Sequence, residues 1–186
     1  MALPPNMSIL ATMNTSDQSL FPIDSAFKRR WEWRYVKIGN GYKRDEYGSF
    51  VRDADGKRVP LGWTIRCGET STDWWQFIQA INNHIGEATS SDDKKLGYFF
   101  CKPKKGEDFI GEEAFVGKVI FYLWNDVFKD NDTSLFKLDN RNREPSFDEF
   151  YTEDEDGNTI ANQEAISKFI CNVLGKEYKS QDDTNE

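Results

Sequence analysis

The chain has 186 residues, 38% of them hydrophobic, and a formal charge of −8 at neutral pH. It carries enough apolar material to bury a sizeable core, as one domain or two small ones, and reads as globular. The acidic balance excludes wholesale coating of nucleic acid, which needs clustered Lys and Arg, and leaves only local basic patches such as Lys102 to Lys105.

In chain order, Met7, Ile9 and Ala11 alternate with Ser8, Leu10 and Thr12 in a mostly apolar run after Pro5, which predicts a buried strand of a parallel sheet. Asn14 follows its carboxyl end. By spacing alone Asn14 reads first as a turn former, yet at that edge of an open α/β sheet an amide also suits a phosphate or its attacking water. Ser19 or Asp24 can open a short helix, and Lys28, Arg29 and Arg30 close it, where cations favour the helix dipole. Paired basic residues at such an end are usually just a solvated face.

The run Met13-Asn14-Thr15-Ser16-Asp17, followed by Asp24-Ser25-Ala26-Phe27-Lys28-Arg29-Arg30-Trp31, resembles the sensor-1 and arginine-finger segment of AAA+ NTPases of the McrB type. Those are the GTP-hydrolysing motor subunits of modified-cytosine restriction systems. The resemblance implies that Asn14 is the sensor-1 residue, Asp17 part of the Met-Asn-x-x-Asp signature, and Arg29 the finger with Arg30 beside it. Asp24 belongs to the same intersubunit segment, and Gln18 departs from the basic residue the family usually has there.

It further implies hydrolysis of GTP or ATP, with Mg, in a cytoplasmic ring of like AAA+ subunits. Asn14 would place the attacking water and Arg29 would reach the neighbour's γ-phosphate. A restriction nuclease subunit would be a further partner, and DNA would be met only through the assembly. No G-x-x-x-x-G-K-[ST] loop occurs, and no acidic pair follows an apolar strand, so the chain by itself is expected to bind no nucleotide and to be inactive. The fold class expected is therefore a fragment of α+β or α/β type: residues 1–38 from the end of the core, a β-hairpin insertion over 39–66, a helical lid over 67–180, and a disordered acidic tail over 181–186. The alternative is a non-catalytic protein-interaction module or the product of a truncated gene.

Beyond the resembling segment, Trp31, Trp33 and Tyr35 alternate with Glu32, Arg34 and Val36, a period of two that predicts a strand over Trp31 to Ile38. In a sheet of the expected type this strand and Met7–Thr12 share a neighbour that the chain does not encode, so both would present unpaired edges. Two short strand-like runs flank Asp53-Ala54-Asp55-Gly56-Lys57, which has turn composition. Glu153 to Asn158 has it too, and neither run fits an EF-hand loop.

Three amphipathic helices are predicted. The first starts at Ser71 or Thr72, carries Trp74, Ile78, Ile81 and Ile85 on one face, and ends near Gly86. The second runs from Glu112 to Phe128 with Val116, Val119, Ile120, Leu123 and Val127 inward. The third, Asn162 to Leu174, buries Ile166, Phe169, Ile170, Val173 and Leu174 and stops at Gly175.

The remaining chemistry-bearing residues give little. Cys67, Cys101 and Cys171 are odd in number and far apart, which fits reduced thiols in a cytoplasmic setting and offers no metal-ligand spacing. His84, the sole histidine, lies off the apolar face of its helix and supports no triad. No apolar run of ~18 residues is present, so no membrane span is expected.

Overall fold

The computed structural model describes residues 6–11, 24–89, 92–129, 133–139 and 144–178, and the chain divides into two units, 1–36 and 37–186. In the first unit the regular element is α1, Ser25–Lys28, a single turn capped by Asp24, whose carboxylate accepts from the Ala26 N–H at 3.0 Å. The Trp33 indole N–H returns to the Lys28 carbonyl at 3.0 Å, and Phe27 and Trp31 pack ring on ring at 5.8 Å. Residues 7–11 and 31–38 form no strand. Leu10 is 96% and Val36 80% exposed, so the alternation that predicts strands here meets no ladder partner among the described residues. A β-strand lives on its neighbours' hydrogen bonds, and periodicity alone does not supply them.

The second unit opens on a small three-cornered module over 41–62. Its first two turns share one recipe: Asp45 Oδ1 accepts the N–H groups of Tyr47 and Ser49, and Asp53 Oδ1 those of Asp55 and Lys57. Gly56 closes the second turn at φ +77°, a left-handed position where a Cβ is strained. The two turns set three arms eight residues apart. Those arms close on one another: Lys43 N–H donates to the Val59 carbonyl, Val59 to Val51, and Val51 to Lys43, all between 2.9 and 3.0 Å. The single β-hairpin expected over 39–66 is therefore two consecutive hairpin turns whose outer arms also pair, at Tyr42 and Pro60. A repeat of Asp-x-x-Gly, read twice, brings the chain back on itself.

A three-stranded sheet follows, ordered β2-β1-β3, with β1 at Thr64–Cys67 antiparallel to β2 at Thr70–Asp73 and parallel to β3 at Phe109–Ile110. Residues 70–73 are thus strand, not the first turn of a helix, and α2 spans Trp74–Thr89 with Asp73 Oδ1 accepting from the Gln76 N–H at 2.7 Å. It continues through Gly86. Next, α3, Glu112–Ala114, leads into two wider π-helical stretches, Phe115–Ile120 and Leu123–Val127. The β4–β5 hairpin, Tyr151–Glu153 with Thr159–Ala161, turns on Asp154, whose Oδ1 accepts from Asp156 and Asn158 in the same recipe as the first two turns. Last, α4, Gln163–Leu174, is capped by Asn162 and stopped by Gly175 at φ +62°.

The architecture of this unit is mixed α/β, with small sheets set around helices. Its core is aromatic: Phe77 meets Phe115 at 5.2 Å, Phe136 stacks on Phe169 at 5.1 Å, and Phe150 meets Phe169 edge-on at 5.7 Å. All of these rings are at most 1% exposed, and full burial of each contributes ~1.5–3 kcal/mol. The turn module is seated on this core by Gly41, which is buried where a Cβ would overlap the Tyr98 ring. Among the described residues, no helix is long and apolar enough to cross a membrane.

Candidate functional site

Asn14, Asp17 and Gln18 lie outside the described residues. Asp24, Arg29 and Arg30 are described and sit around α1, all exposed. Asp24 spends its carboxylate on the helix cap, and Arg29 Nε donates to the Ser25 carbonyl at 3.3 Å. Arg30 donates its backbone N–H to Phe27 at 3.0 Å. These are the local tasks of any short helix, an acid at its start and cations at its end.

A separate group of cations lies on the turn module. Arg44, Arg52 and Arg58 fall at paired positions of the three arms: Arg44 opposite Phe50, and Arg52 opposite Arg58. Arg44 Nη1 donates to the Gly48 carbonyl and Arg52 Nη1 to the Gly56 carbonyl, both at 2.5 Å. The guanidinium carbons of Arg44 and Arg58 each stand 4.1 Å from the centre of the Phe50 ring. Asp45 and Asp53 turn a carboxylate oxygen inward to their own backbone N–H groups, and no ion pair to these three arginines forms among the described residues. Sequence reading sees the turn here but misses the cluster. The signal was an eight-residue spacing between Arg44-Asp45 and Arg52-Asp53.

The interior offers thiols of a different character. Cys67 donates to the Gln163 carbonyl at 3.1 Å and accepts from the Ser167 hydroxyl at 3.4 Å, while burial pushes its pKa up. Burial raises Cys101 and Cys171 as well, and all three are free. A thiol whose pKa is raised carries less thiolate near neutrality, which disfavours these three as nucleophiles. Glu112 and Glu113 are spent on structure, accepting from the Gly68 and Ala161 N–H groups, each at 2.7 Å. Among the described residues no group of three or more His, Cys, Asp and Glu side chains is placed to hold a metal. His84 is half-buried, with Nε2 directed at the Val173 carbonyl at 3.1 Å, so this histidine off the apolar face of its helix ties α2 to the end of α4.

No protein-family model and no solved structure matches the chain. It is similar to the type II restriction enzyme BsuMI component YdiS of Bacillus subtilis strain 168, with 34% identity over 134 residues, which is 72% of this chain and 35% of that protein. The chain thus spans about a third of the relative's length.

That finding overturns the McrB-type recognition. The relative is named as a component of a type II restriction enzyme, not as a GTP-hydrolysing AAA+ motor of modified-cytosine restriction. The function built on that recognition, a C-terminal AAA+ fragment lending sensor-1 and arginine finger to an ATP- or GTP-hydrolysing ring, is withdrawn with it, as are the terms AAA+, ATPase and GTPase. The physical reason is visible at α1. Asp24 and Arg29 satisfy ordinary requirements of a helix start and end, so an acid followed by paired arginines at short spacing is weak evidence for a nucleotide site.

Proposed function

We propose that this chain works in a DNA restriction system, as part of a restriction-enzyme component comparable to YdiS. The observation that supports this reading is the 34% identity maintained over 134 residues. A restriction nuclease subunit is the partner that such a component implies, and the cytoplasm, where incoming DNA is met, is its setting. The aromatic core packed around α2 and α4 would act as the rigid body on which contacts to that partner and to DNA are displayed.

The test is restriction in the host. Disruption of the gene is expected to raise the plating efficiency of phage carrying unmodified DNA, and expression of the intact gene from a plasmid to lower it again. Unchanged plating after disruption, with the other restriction subunits expressed, overturns the proposal.

A further inference from the structure

We propose that the face of the turn module bearing Arg44, Arg52 and Arg58 is a contact surface for the phosphodiester backbone of DNA; the choice of DNA among polyanions rests on the restriction reading above. Three observations converge on this face.

The first is placement. Side chains on paired positions of adjacent arms stand on one face of the pleat, and here the pairs are Tyr42 with Pro60, Arg44 with Phe50, and Arg52 with Arg58. The face therefore holds three guanidinia and two aromatic rings.

The second is charge. Arg52 and Arg58 are directly opposite, and like charges at such positions repel. Asp45 and Asp53 lie next in sequence to Arg44 and Arg52, yet each commits an oxygen to backbone N–H groups of its own turn, and the other carboxylates, Glu46 and Asp55, belong to the turn tips. Among the described residues no ion pair takes up these three guanidinia, and an anion bridging Arg52 and Arg58 removes the repulsion.

The third is preorganisation. Phe50 carries Arg44 and Arg58 at 4.1 Å, and the Gly48 and Gly56 carbonyls hold one nitrogen each of Arg44 and Arg52, so the forks lose little freedom on meeting a phosphate. Each planar fork retains further N–H donors suited to phosphate oxygens. Guanidinia that meet phosphate oxygens position a protein on the duplex without reading bases.

The experiment uses the full chain and a short fluorescent DNA duplex, with anisotropy followed across a salt series. Wild type is expected to bind at low salt with a negative slope of log K against log salt. Replacing all three arginines, R44Q/R52Q/R58Q, is expected to make that slope shallower by about 2.7, since each duplex phosphate contact contributes ~0.9. R44K/R52K/R58K keeps the charge and is expected to keep most of the slope.

Because Arg44 and Arg58 stack on Phe50, the single variant Arg52→Gln, which disturbs no ring contact, guards against misfolding and is expected to lose ~0.9. No binding by wild type, a wild-type slope in both Gln variants, or loss of binding in K102A/K104A/K105A instead would each overturn the proposal. The readout is separate from plating efficiency. Arginine-dependent binding by a chain without effect on phage removes only the restriction reading, and restriction with arginine-independent binding removes only this one.

Discussion

The side-chain amide of Asn82 brackets the backbone of Leu96, Nδ2 donating to its carbonyl at 2.9 Å and Oδ1 accepting from its N–H at 2.7 Å. This two-point clamp fixes the loop after α2 against the helix, and the Leu96 side chain is fully buried as a result. Asn82→Ala leaves both backbone groups without their partner in a half-buried setting. The expected loss is ~2–6 kcal/mol, from one to three for each orphaned group, read as a shift of the urea midpoint at unchanged m-value.

Gly41 tests how the turn module is seated. A Cβ there would overlap Tyr98 ring carbons and come within 2.9 Å of Leu61 Cδ1. Tyr98 stacks on Trp63 at 5.0 Å and its hydroxyl oxygen accepts from the Trp63 N–H at 3.2 Å, so the ring has little room to retreat. Gly41→Ala is expected to cost ~1–3 kcal/mol by overpacking and to weaken the near-ultraviolet circular dichroism of the Trp63 and Tyr98 pair.

Phe169 is the hub of the aromatic core, meeting Phe77, Phe136 and Phe150 at centroid distances of 6.4, 5.1 and 5.7 Å. Phe169→Ala opens a cavity on three sides and is expected to cost ~3–5 kcal/mol in denaturant unfolding. Phe169→Leu should recover a large part of that loss. A small effect of the alanine variant would mean that the rings do not share one core.

The turn at Asp154 carries a pH dependence of known sign. The Asn158 side chain, then its backbone N–H and those of Asp156 and Gly157, hydrogen-bond the charged carboxylate and hold its pKa below the usual value. Folding therefore releases a proton from this group more readily than the unfolded chain does. Its contribution is complete above the ordinary carboxylate pKa and is lost as pH falls through the lowered folded value. The difference in melting temperature between wild type and Asp154→Ala is expected to be flat near neutrality and to shrink only in acid, in step with the Asp154 carboxyl titration followed by nuclear magnetic resonance.

The helices were legible in the sequence because their signals are local. Asn162 ahead of a stripe at helical spacing and Gly175 behind it determine α4, and the structure places its cap and its stop on those two residues. Where a rival local arrangement exists, the reading slipped. Residues 70–73 carry Thr, Ser and Asp that could begin a helix, but their backbone pairs with β1, which delays α2 to Trp74. The alternating runs at 7–11 and 31–38 had the period of strands and meet no pairing partner among the described residues. The arginine pair after α1 had the spacing of a motif, and helix-end chemistry explains it as well.

What the sequence determined by itself was everything set within a few residues: the turns led by Asp and closed by Gly, the apolar stripes of α2, of the helical stretches over 115–127 and of α4, and the two caps of α4. Each depends on hydrogen bonds and steric limits that a short segment fulfils alone. Tertiary structure decided which arms pair, that the module at 41–62 closes into a ring, that Asn82 and His84 bond to chain distant in sequence, and that three arginines share one face. Those relations join groups separated along the chain, so they exist only once packing has fixed the distance between them.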